Sequence, residues 1–201
     1  MIQRVLLIID EISTWAGKTF AWCILALTLA TTYEVFVRYA LKAPTGWAYD
    51  MSYMLYGALF MGAGAYTLSR NGHVRGDFLY RKWKPRTQAM LDLALYLLFF
   101  FPGIIALIYS GWGFFRLSYS FDEHSSFSPI GPPIWPLKAM IPFVGVLLFL
   151  QGIAEVARCI VCIRTGQWPK RLKDVEELER VMLEQARLAG EAEARRLEAG
   201  R

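Results

Sequence analysis

The chain has 201 residues, 55% of them hydrophobic and 15% aromatic, with a formal net charge of +5 and a mean hydropathy of +0.32. Soluble domains hold about 45–50% apolar residues even with glycine counted; this chain exceeds that although its C-terminal segment is mostly charged, so the apolar excess must sit in membrane spans. The positive charge then belongs on cytoplasmic loops, and a nucleic-acid partner is excluded because its footprint would be a clustered basic face on a soluble domain.

The first stretch, "MIQRVLLIIDEISTWAGK", places Val5, Leu6, Ile9, Ile12 and Trp15 with helical, one-sided spacing. It carries acids at Asp10 and Glu11 and no small-residue cleavage site, unlike a signal peptide. It predicts an interfacial amphipathic helix leading into a first span at 19–37, which holds one acid, Glu34. A second span at 51–69 carries no charge, and its small residues Gly57, Ala58, Gly62, Ala63, Gly64 and Ala65 suit close helix approach. A third, at 93–115, contains Pro102-Gly103, which predicts a kink. The fourth, at 139–163, holds Gln151, Glu155 and Arg158 in its later half.

The connections set the direction. The 70–86 loop holds Arg70, Arg75, Arg81, Lys82, Lys84 and Arg86, whereas 117–137 holds no Lys or Arg but has Asp122 and Glu123. The positive-inside rule places the 70–86 loop and both termini in the cytoplasm. Trp47, Tyr49 and Trp135 then mark the outer aromatic belt, and Tyr80 and Trp83 the inner one. Arg75, Arg81, Lys82 and Trp83 are candidates for phospholipid headgroup contact. The outer stretch "SSFSPIGPPIWP" is too rich in proline to be helical throughout. The segment 169–201 is rich in helix formers and balances eight cations with eight acids, which predicts a solvated cytoplasmic helix attached to a membrane domain at 1–168.

Charges at membrane depth are functional candidates by default, yet local pairing accounts for most of them here. Glu34 and Arg38 are four apart, and Glu155 and Arg158 three apart. Asp50 and Asp92 stand where their spans begin, suiting the helix dipole. Gln151 is expected to make an interhelical hydrogen bond. The two histidines, His73 and His124, fall in opposite compartments, so neither a haem pair nor a metal site forms. Cys159 and Cys162 lack the second ligand pair a zinc site needs and read as apolar fillers. No catalytic motif is present: the chain is not expected to be an enzyme, and no cofactor is expected. The RGD at Arg75–Asp77 lies on the cytoplasmic side, where it has no adhesive meaning.

"FVRY" (Phe36 to Tyr39) closes the first span, "WAYD" (Trp47 to Asp50) opens the second, and "GHVRGD" (Gly72 to Asp77) follows it. In this order and topology, the chain resembles the small membrane subunit of tripartite ATP-independent periplasmic (TRAP) transporters, the DctQ-like family, over roughly 12–163. Gly76 stands where the family usually has an apolar residue, and Asp50 where Glu is more common. The resemblance implies a bacterial inner-membrane protein that packs against a large multi-span permease subunit. Such complexes import organic acids on a sodium gradient after capture by a periplasmic binding protein. It makes Arg38, Tyr39, Trp47, Asp50, His73, Arg75 and Asp77 family-motif residues, and the outer-face residues Lys42, Asp122 and Glu123 candidates for docking the binding protein. Alternatives are the membrane anchor of a quinone-linked or other membrane enzyme, and a free-standing small transporter. The expected fold is an all-α integral membrane protein with four transmembrane helices.

Overall fold

The computed structural model describes residues 2–72, 80, 82–128, 131–169, 171 and 182–188, and within them every regular element is helical. Helix α1 spans Ile2–Ala40 and α2 spans Ala48–Ser69. Helix α3 (Pro85–Leu95) passes through a π turn (Tyr96–Phe100) into α4 (Phe101–Ser120), and α5 covers Trp135–Thr165. A short helical stretch at 182–188 is the described part of the tail. Helix α1, the α3–α4 unit and α5 are long and apolar enough to cross a membrane. Helix α2, with 22 residues, is long enough for about 33 Å, but its glycines, serine and tyrosines make it less apolar.

The N-terminal stretch is not a separate interfacial helix. It runs without a break into the first span, giving α1 a length of 39 residues, about 58 Å against a hydrocarbon core of about 30 Å. The reason lies in its far side. Val5, Ile8, Ile12 and Trp15 are exposed, while Asp10, Ser13 and Thr14 on the opposite face are buried. Polar contacts to the rest of the bundle therefore hold this segment upright.

The third span also begins earlier than the apolar run suggests, because Pro85 starts α3 at its first turn, where its missing N–H costs nothing. Asp92 consequently lies well inside a helix, not at its N-terminus, and its carboxylate accepts a hydrogen bond from Tyr80 Oη at 2.7 Å. The expected disturbance at Pro102 takes the form of the π turn, with Phe101 N–H bonded to Tyr96 O. Widening the turn just before the ring accommodates a proline that cannot donate to the preceding turn.

Helix α5 is the hub, packed against α1, α2, α3 and α4, while α1 lies along α2. Close approach depends on glycine. A Cβ at Gly62 would sit 2.4 Å from the Phe20 ring, and one at Gly17 would sit 2.4 Å from Tyr66 Cβ. Gly145 and Gly152 of α5 are closed in the same way by Ile108 and Phe100. The small residues of α2 thus serve packing within the chain. Ala16, Ala65 and Leu147 form one apolar cluster between α1, α2 and α5. Ala89, Cys159 and Cys162 form another with Leu93, Tyr96 and Trp168, so both cysteines are buried fillers.

Candidate functional site

The polar side chains of the bundle collect in two places. Toward one end, α5 projects Gln151, Glu155 and Arg158 from one face at helical spacing, opposite Asp10 and Ser13 of α1. Ser13 Oγ donates to Gln151 Oε1 at 2.8 Å, and Gln151 Nε2 donates to Asp10 Oδ1 at 2.9 Å. Arg158 pairs with both Asp10 and Glu155. Arg171, just past the helix, closes the set on Glu155 with bonds of 3.0 and 2.7 Å. Two acids meet two guanidinium groups, so the network is formally neutral. Arg158 and Gln151 are fully buried, and Asp10 and Glu155 are 1% exposed. Burying unpaired charge is prohibitive, and only pairing of this completeness makes it tolerable. The Arg158 Nε–H alone has no partner.

Glu155 and Arg158 do pair along the helix, as their spacing suggests, and they are also the centre of a cluster whose other half comes from the start of the chain. Arg70, at the end of α2, adds a hydrogen bond to Thr14 Oγ1 at 3.3 Å and lies over the Tyr66 ring. Helices α1, α2 and α5 are thus tied together at this end.

At the other end the polar groups are more exposed and divided among several small clusters. Arg38 Nε donates to Glu34 Oε1 at 2.9 Å, and the Thr45 amide donates to Glu34 Oε2 at 3.1 Å. This pins the turn after α1, where Lys42 adopts φ 53° and is exposed. Tyr39 is 76% exposed, and Trp47 stacks on Tyr33 at 6.1 Å. Asp50, fully buried in the first turn of α2, accepts from Ser125 Oγ. The 121–134 connection folds back on itself, with Ser125 N–H bonded to Pro132 O and Ile134 N–H to Glu123 O, both at 3.0 Å. Gly131 takes φ 51° there, the left-handed region that glycine enters without strain.

In that connection the Glu123 carboxyl is held below its usual range, chiefly by the hydrogen bond from Lys138. The Lys138 ammonium also lies 4.0 Å from the centre of the Phe114 ring. His124 is raised above its ordinary value, first by its bond to the Gly131 carbonyl and then by Asp122.

Of the residues singled out in the sequence, the structure gathers Arg38, Lys42, Trp47, Asp50, Asp122 and Glu123 around the two connections at this end. His73, Arg75, Asp77 and Arg81 lie outside the described residues. Lys82 and Trp83 are exposed at the entry to α3. Two residues escaped the sequence reading. Asp10 appears there only as a mark against a signal peptide, since partners 141 and 148 positions away leave no local signal. Arg116 falls between the third apolar run and its loop; it lies in α4, exposed. Among the described residues no group of His, Cys, Asp or Glu is placed to hold a metal ion.

A bundle of long apolar helices with an apolar exterior and its charges paired internally defines a membrane-embedded protein. Residues 27–162, more than half of the chain, match the family model for the DctQ component of tripartite ATP-independent periplasmic transporters. The chain belongs to that family and is a TRAP transporter small (Q) subunit, a transporter component and not a member of an enzyme family. Among curated proteins none matches the chain.

Proposed function

We propose that the chain scaffolds a large multi-span permease subunit in the bacterial inner membrane, supporting sodium-driven import of an organic acid delivered by a periplasmic binding protein. In this reading α1, α2, the α3–α4 unit and α5 are four transmembrane spans. The network of Asp10 and Arg158 lies toward the cytoplasm with both termini, and residues 169–201 form a cytoplasmic tail anchored to the membrane domain through Arg171. The observation that carries the proposal is the closed network between α1 and α5. Its acids and guanidinium groups satisfy one another, leaving a braced element suited to support a moving partner. The enzyme-anchor alternative has no observation in its favour.

Co-expression tests this directly. The chain should purify as a stoichiometric complex with a multi-span permease and be recovered with the membrane fraction. Purification free of any such partner would contradict the scaffold role. At the outer face, Lys42 is exposed and Asp122, though it faces His124, stays 79% exposed, so both can meet the binding protein, whereas Glu123 is committed to Lys138. Reversing both charges, Lys42→Glu with Asp122→Lys, should weaken docking; unchanged affinity of the binding protein would remove this surface from the account. Arg75, Arg81, Lys82 and Trp83 are assigned to headgroup contact on the cytoplasmic side. Replacing both arginines by glutamine should lower lipid retention without altering substrate choice.

A further inference from the structure

Helix α4 carries a groove that the scaffold role does not use. One section, of about 430 Å³, is lined by Ile105, Ile108, Tyr109, Trp112 and Phe149 and is apolar throughout. A second, also about 430 Å³, shares Tyr109 and Trp112 and continues past Gly113 to Arg116 and Ser120. The two sections thus make a single trough with an apolar floor at one end and a cation at the other. No ion pair to Arg116 is present among the described residues. It stands one turn before the end of α4 at Ser120, about 6 Å along the axis, which is headgroup depth for a helix ending at the membrane surface.

Length and polarity select the occupant. Eleven residues separate Ile105 from Arg116, a rise of about 16 Å at 1.5 Å per residue. Half of a hydrocarbon core of about 30 Å is nearly the same distance. A guanidinium at the polar end favours an oxyanion that accepts two parallel hydrogen bonds, and the apolar section below it has no polar group to offer such a ligand's remainder. A bilayer phospholipid has this combination: a phosphate at the interface and a chain one leaflet long.

We propose that the α4 groove holds one membrane phospholipid, its phosphate on Arg116 and an acyl chain along Ile105, Ile108 and Phe149. This rests on the reading of α4 as a membrane span and not on the transport role. Flotation of the full-length chain with vesicles tests that reading on its own. Native mass spectrometry of the full chain, released from detergent with added phosphatidylglycerol or with diacylglycerol of the same chains, tests the groove. The wild type should retain one phosphatidylglycerol and little diacylglycerol. Arg116→Gln should weaken retention about tenfold, and Ile105→Trp, which fills the apolar section without touching the cation, should weaken it as well. Arg116 and Ile105 are both exposed, so neither variant threatens the bundle. Equal retention of the two lipids, no adduct on the wild type, or an adduct indifferent to Arg116→Gln would each overturn the proposal. The last two results would point to a partner's carboxylate as the ligand of Arg116.

Discussion

The two ends of the bundle both carry charged side chains and use them differently. At one end Asp10, Glu155 and Arg158 are stripped of water and joined across α1 and α5. At the other, Glu34 and Arg38 pair along a single helix, and the Arg38 side chain is 51% exposed. Coulomb attraction strengthens as the local dielectric falls, but so does the desolvation penalty. The buried network is therefore rigid only while it is complete, whereas the exposed pair can be lost with little consequence. In the proposed reading, a scaffold that must hold its shape under a moving partner, yet present an adaptable surface to a soluble one, gains from that difference.

The largest effect should follow from breaking the buried network. Arg158→Met leaves Asp10 buried without a cation and Glu155 with Arg171 alone, and should destabilise the chain by about 3–5 kcal/mol, read as a lowered midpoint of thermal unfolding in detergent. Arg38→Met at the other end should cost at most about 1 kcal/mol. Equal losses would erase the contrast between the ends. Replacing Asp10, Glu155, Arg158 and Arg171 together by apolar residues of similar size should restore most of the stability lost by Arg158→Met, because the penalty of a broken buried pair comes from the orphaned charge.

A smaller effect separates packed glycines from open ones. Gly62→Ala forces a methyl group into the Phe20 ring and should cost about 1–3 kcal/mol. Gly103→Ala meets nothing within 4 Å and should stabilise α4 by about 0.5–1 kcal/mol. The same unfolding midpoints distinguish them, and a loss at Gly103 would place an unrecognised neighbour there.

The smallest effect concerns pH at the connection between α4 and α5. His124 is raised from 6.5, so its contribution is fully present below that pH and is lost as pH climbs through the higher folded value. Glu123 is lowered from 4.5, so its contribution is present above that pH and is lost as pH falls through the folded value. Protection of the Ser125 and Ile134 amides from hydrogen exchange, corrected for intrinsic rates, should peak between these two pH values. Protection that rises or falls steadily across that range would separate the hairpin from both side chains.

The helices were legible in the sequence because lipid demands long apolar runs, and three of the four expected spans are recovered as membrane-length apolar helices. Their ends were less so. Proline at the first turn moved the start of α3 well before its apolar run, taking Asp92 from a helix end to a buried site. The continuity of the first helix was not legible because a stripe of Val5, Ile12 and Trp15 suggests a separate membrane-surface helix, and only the tertiary fold supplies the polar partners that bind it to the bundle. Spacing alone pairs Glu155 with Arg158, but it cannot reveal that the second acid comes from Asp10, across nearly the whole chain. Glycine content announced close packing; that the partner was α1 of the same chain required the fold.

In the proposed reading, this chain is a support the transporter cannot work without. Sodium-driven uptake of an organic acid by proteoliposomes, with the permease and binding protein held constant and this chain present or absent, tests it most directly. The account predicts uptake with the wild-type chain and background uptake without it. Full uptake in its absence would contradict the account.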